Sequence, residues 1–184
     1  MRTERQRQRT AYHEAGHAVM RLQLGRRPTR ASIKPRAADN SLGHVAHLGT
    51  KLDVDWIDPR DWRLQRWAET EIMVAMAGGE AERIYSGRCY HAGCAADSRR
   101  VSEIVLRTEG LNDRRQLAFV TWLREKTRDR LGNSLVWLRV EAVAAALMQR
   151  ETLTGAEIRQ VCEEPKSWSR GVQTEYKSGQ ETTR

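Results

Sequence analysis

Phenylalanine occurs once, proline four times and cysteine three times in this chain of 184 residues. Cys89, Cys94 and Cys162 are too few for a disulfide-stapled secreted scaffold and contain no C-x-x-C pair; they fit a reducing compartment. No run of 18 apolar residues is present, so no segment reads as a membrane span. The start of the chain lacks the apolar core of a secretory signal peptide. These absences together predict a cytoplasmic location. A G-x-x-x-x-G-K-[ST] phosphate loop is also missing, as is any internal repeat.

What is abundant is charge. The net charge is +8 and the pI about 9.9, yet 24 acidic residues are interspersed among 32 basic ones. The one local excess is residues 1–9, with four arginines against one glutamate. This stretch reads as a solvated basic arm. It lacks the aromatic-basic interleaving of a nucleic-acid module, so nucleic acid is not the expected partner.

The densest chemical signal is His13-Glu14-Ala15-Gly16-His17, an H-E-x-x-H pentapeptide. Residues four apart on a helix lie about 40° apart around the axis. His13 and His17 therefore project side by side and can offer two imidazole nitrogens to one Zn2+. Glu14 stands one step round the helix, placed to take a proton from a water whose pKa the metal lowers. Tyr12, Ala15, Val19 and Leu22 supply the apolar stripe of a buried helix face. Gly16 costs that helix about 1 kcal/mol relative to Ala, which close approach of another backbone would explain. A catalytic zinc ordinarily has three protein ligands. The extended motif that adds a nearby third His would need Gly at 20 and His at 23; Met20 and Gln23 stand there.

The rest of the chain reads as one domain. A first helix is expected from about Thr10 to Leu24, stopped by Gly25 and Pro28. Two short strands follow, at residues 31–35 and 43–48, the second carrying His44 and His47 on opposite faces. Asp58-Pro59 reads as the start of a long helix with Leu64, Trp67, Ala68, Ile72, Ala75, Met76 and Gly79 on its buried face. Gly78-Gly79 suggests close packing, against the H-E-x-x-H helix. The pattern breaks over residues 87–95, and a new helix is expected near Asp97. Two further helices are expected at about residues 113–130 and 134–149. Thr154-Gly155-Ala156-Glu157 is a capping box opening a last short helix. The expected division is residues 1–9 as the basic arm, 10–164 as the domain, and 165–184 as a disordered polar tail.

Candidates for the third ligand are Glu69, Glu71, Glu80, Glu82, Cys89, His91, Cys94 and Asp97, and spacing alone does not choose among them. A resemblance bears on the choice. Thr10-Ala11-Tyr12-His13-Glu14-Ala15-Gly16-His17-Ala18-Val19 resembles the metal-site helix of the FtsH-type ATP-dependent metalloproteases. Further segments resemble that family in the same order: Ser32-Ile33-Lys34-Pro35-Arg36 with Leu42-Gly43, Ala77-Gly78-Gly79-Glu80-Ala81-Glu82-Arg83-Ile84, Gly93-Cys94-Ala95-Ala96-Asp97, and Glu151-Thr152-Leu153-Thr154-Gly155-Ala156-Glu157-Ile158. The resemblance implies a mainly α fold with a small β-sheet. It also implies His13, His17 and Asp97 as zinc ligands, Glu14 as general base, and Glu82 as a carboxylate that orients a ligating His. An edge strand near Ile33 would receive an extended polypeptide substrate by strand addition.

The departures from the family also matter. The family's ATPase module is not in this sequence, Cys94 and Ala95 replace commoner residues, and the helices after residue 110 match weakly. The expectation is a free-standing zinc metallopeptidase domain that cleaves flexible polypeptides, with room for a separate ATPase or adaptor and for an oligomer. The rival readings are a zinc-containing binding or regulatory module that does not turn over, a nucleic-acid-associated regulator, and a protease dedicated to one partner.

Overall fold

The first helix begins well before the apolar pattern does. The computed structural model describes residues 3–35, 43–47, 61–89, 91–109 and 112–165, and in it α1 runs Glu4–Gln23. Thr3 and Gln6 form a reciprocal capping box at its start. Arg7 reaches Glu151 at 3.2 Å and the Tyr85 hydroxyl donates to Gln8 at 2.9 Å. Residues 4–9 are thus the opening turns of α1 rather than a separate arm. Composition alone hides this, because the ties are to residues distant in sequence.

Strand β1 (Pro28–Ser32) and strand β2 (His44–His47) follow α1. Helix α2 (Trp62–Ser86) is capped by Asp61 and ends at Gly87, whose φ of 78° favours glycine. Asp58 and Pro59, read above as the helix start, lie outside the described residues, as does the tail beyond residue 165. Helices α3 (His91–Glu109), α4 (Asp113–Gly132) and α5 (Ser134–Arg150) complete the helical body. Strand β3 (Thr152–Thr154) leads into α6 (Gly155–Glu163), which opens on the expected Thr154–Glu157 capping box. The architecture is mainly helical with one small antiparallel sheet. Among the described residues, no single helix is long and apolar enough to cross a membrane.

Two differences from the sequence reading bear on the site. The sheet order is β2-β1-β3, so β1 is the central strand. Ile33, just past β1, is 1% exposed, and its N–H donates to the Glu151 carbonyl at 2.9 Å. It has no edge to offer a substrate. The missing piece was β3, three residues long and too short for an alternation signal. The second difference is α3, which starts six residues before Asp97. The sequence pattern breaks over residues 87–95, but tertiary ties at Cys94 and Asp97 anchor these first turns.

Helix α1 is the axis of the fold. Every residue from 10 to 21 is buried, not merely the predicted stripe, because α2, α5 and β1 enclose the helix. Its close fit to α2 depends on Gly16: a Cβ there would collide with the Ala77 carbonyl oxygen and lie 2.7 Å from the Ala81 Cβ. Enclosing a helix that carries His13, Glu14, His17 and Arg21 forces each polar group to find compensation. Arg21 obtains it from Glu71, 3.2 Å away and equally buried. The other three converge elsewhere.

Candidate metal centre

His13 and His17, one helical turn apart on α1, face the backbone of α2 at Gly78. A Cβ on residue 78 would lie 2.6 Å from His17 Cε1 and 2.8 Å from His13 Nε2. The glycine therefore leaves the space in which the imidazoles meet. The His17 Nδ1–H donates to the Val74 carbonyl at 2.8 Å. That bond fixes the ring and leaves the Nε2 lone pair free to bind. On His13 the buried Nδ1 forms no hydrogen bond; the nearest carboxylate oxygen is Glu82 Oε2 at 3.4 Å.

Asp97, on α3, closes the arrangement. Its Oδ2 lies 3.1 Å from His13 Nε2 and 3.3 Å from His17 Nε2, and the two imidazole nitrogens are 3.1 Å apart. Bonds of about 2.0–2.1 Å in a tetrahedral site place ligand atoms about 3.3–3.4 Å apart. Three donors of zinc-binding type at nearly that mutual spacing fit such an ion. Of the other candidates, Glu82 stays beside His13, in a second group with Cys94 whose donor atoms lie within 4.8 Å of one another; most of the rest are committed elsewhere. Glu69 pairs with Lys126 at 3.1 Å, Glu71 with Arg21, and Glu80 with Arg83 and Arg128 at 2.5 and 3.0 Å. Cys89 and Cys94 are joined as a disulfide, a pairing that the expectation of a reducing compartment did not foresee. The His91 side chain lies outside the described ones. His44 and His47 sit on β2 and join no cluster of three or more metal-ligating groups among the described residues.

The electrostatics of the metal-free site follow from burial and crowding. Burial opposes a charge on His13, but Asp97, Glu82 and Glu14 outweigh it and push its pKa up to about 10. Burial likewise opposes charge on Asp97, and the two imidazoles overcome it, holding the carboxyl well below its usual range. Glu14 is raised: burial is the dominant cause and the nearby imidazoles only partly offset it. Glu14 is 4% exposed. The start of β2 lies against it, since a Cβ on Gly43 would sit 2.8 Å from Glu14 Cγ and 2.8 Å from the Ser32 carbonyl oxygen.

Glu82 is itself only 5% exposed, so its carboxylate is held inside the site rather than in solvent. Three features were not read from sequence: the Val74 carbonyl, the Gly43 contact and the Gly78 cradle. The first has no side-chain signal at all. The glycines are visible in the sequence, but Gly78-Gly79 there suggests helix packing rather than room for ligands. Gly78→Ala separates those readings. Alanine favours a helix by about 1 kcal/mol over glycine, yet its methyl would displace two ring ligands. We expect at least about tenfold weaker zinc binding in a chelator competition; unchanged binding would make Gly78 a packing residue only.

Two buried imidazoles and a carboxylate meet around one point and could hold a metal ion, with a further buried carboxylate, Glu14, beside them. The chain belongs to peptidase family M41, whose model matches residues 1–110, a metallopeptidase family. The match ends where α3 ends, in keeping with the weaker resemblance of the later helices. The ATP-dependent zinc metalloprotease FtsH 1 of Sorangium cellulosum (strain So ce56) is 28% identical over 199 residues, covering 86% of this chain and 30% of that protein. The chain thus corresponds to under a third of that relative's length.

Proposed function

We propose that this domain is a zinc-dependent endopeptidase in which His13, His17 and Asp97 hold the metal and Glu14 is the general base. The observation that carries the reading is the meeting of three donor atoms within 3.3 Å of one another beside a buried glutamate. Bound zinc supplies Lewis-acid chemistry, polarising the scissile carbonyl and making water more acidic. Glu14 takes the proton from the attacking water and delivers it to the leaving amine. Glu82, 3.4 Å from His13 Nδ1, would accept that N–H and orient the ring once His13 Nε2 binds the metal.

The substrate backbone lies extended along β2 rather than beside Ile33. Support comes from the strand order, which puts β2 at one end of the sheet, and from Gly43, which brings the start of that strand against Glu14. Strand addition needs several consecutive extended residues, and a stable domain exposes them only through rare opening. The purified chain is expected to cleave a casein-like flexible substrate and to leave a stable globular domain intact. ATP should change neither, because this sequence contains no phosphate loop. A gel time course with and without nucleotide, chelator and restored zinc tests the set. Cleavage that survives chelation, or stimulation by ATP, would sink the reading. Zinc binding without cleavage of any flexible substrate would favour a non-catalytic binding module.

A further inference from the structure

The Cys89–Cys94 pair lies against the metal centre, and the second glycine of Gly78-Gly79 makes room for it. A Cβ on Gly79 would come 3.1 Å from Cys94 Sγ and 3.2 Å from Cys89 Sγ. The two adjacent glycines of α2 therefore seat different groups: Gly78 the imidazoles, Gly79 the sulfurs. Cys94 precedes Asp97 by three residues on α3, which sets the two on neighbouring positions of one helix face. Cys89 belongs to the short connection after α2. Its sulfur lies 4.0 Å from Glu82 Oε2, the same oxygen that stands nearest His13 Nδ1.

We propose that Cys89 and Cys94 form a redox-modification site that sets the metal affinity of this centre. The inference rests on the zinc-site reading above. The disulfide ties the first turn of α3 to the connection leaving α2 and so holds Asp97 at the imidazoles. Asp97 is the ligand that most needs such support: its side chain is 26% exposed, against 8% for His13 and 11% for His17. Reduction releases that turn. It also gives Cys89 an S–H that can donate to Glu82 and compete with His13 Nδ1 for the carboxylate. Both effects weaken binding, one through Asp97 and one through His13.

The reactant is a low-molecular-weight disulfide. A cavity of about 520 Å3 is lined by both cysteines, Asp97, Ser98, Val101 and Met76, among others, and gives such a molecule access. One cysteine thiolate attacks a sulfur of the small disulfide, breaking its S–S bond and expelling one thiol. The second cysteine displaces the other thiol from the mixed disulfide. The sum is a protein dithiol plus RSSR giving a protein disulfide plus two RSH. Two electrons pass to the small molecule, and the two cysteine protons leave on the released thiols.

The test uses the full chain equilibrated with oxidised glutathione or with a phosphine reductant. Thiols are counted under denaturing conditions, and zinc affinity is measured by chelator competition. We expect one thiol, Cys162, in the oxidised protein and three in the reduced one. Zinc should bind at least about tenfold more tightly in the oxidised state, the lower range for losing support around a metal ligand. Reoxidation should restore that affinity. Cys89→Ser and Cys94→Ser should match the reduced protein and no longer respond. Equal affinity in the two states overturns this inference alone, and so do three thiols persisting under oxidised glutathione. Tighter binding on reduction also overturns it; Cys94 would then be a ligand with His13 and Glu82, whose donor atoms and its own lie within 4.8 Å of one another. Absence of zinc binding in both states removes the metal centre as well.

Discussion

Replacing Glu14 with glutamine is expected to reduce cleavage of flexible peptides by at least about 10²-fold, the lower range for loss of a general base, while zinc content and fold persist. Glutamine keeps the size of the side chain and can still hydrogen-bond, but it cannot carry the proton. The fold has no evident need for a charge at this position. Glu14 is buried, and burial pushes its pKa up, so the folded state binds this proton more tightly than the unfolded state does. The sign of the linkage follows: the contribution of Glu14 to stability is largest at low pH and declines as pH rises through its ordinary and then its raised pKa. In the metal-free protein, burying this carboxyl therefore costs stability as pH rises, a cost that glutamine does not carry. The thermal midpoint of Glu14→Gln at pH 7 should therefore equal or exceed that of the wild type. Unchanged turnover would rule out Glu14 as the base. A fall in both midpoint and zinc content would show a structural role instead.

How much of this was legible in the sequence depends on the range of the forces involved. Local signals gave α1 its identity, α4 and α5 nearly their full extents, and the Thr154–Glu157 cap its position. Helical spacing alone brought His13 and His17 together. Asp97 could not be reached that way, because it lies 84 residues from His13 and meets it through the packing of α3 on α2. Family resemblance named it where spacing left eight candidates open. The reading failed where tertiary pairing outweighed local pattern. Strand β3 exists because β1 offers it partners: Ala31 pairs with Leu153 and Ser32 with Thr152. That third strand moved Ile33 from a presumed edge to the interior and transferred the candidate docking edge to β2. The disulfide was equally invisible, since a five-residue separation between cysteines carries no rule about pairing.

Asp97→Ala should abolish stoichiometric zinc binding, whereas His91→Ala should retain it. The two imidazoles that remain in Asp97→Ala fall short of the three protein ligands usual in a catalytic zinc site, and Glu82 faces the other nitrogen of His13. Zinc measured by elemental analysis after dialysis should fall from about one ion per chain to a small fraction of that. The substitution also changes the metal-free protein. Burial works against a charged His13, and Asp97 is the largest influence overcoming it, so the imidazole pKa should drop from its raised position when Asp97 is lost. An NMR titration of the His13 ring in the metal-free wild type and variant would show this. A merely structural role for Asp97 predicts no such selective shift. Zinc retained in Asp97→Ala but lost in His91→Ala would move the third ligand to His91 and break the link between α3 geometry and the metal. Zinc lost from both variants would instead point to a site that needs the first two turns of α3 as a unit, not one carboxylate within them.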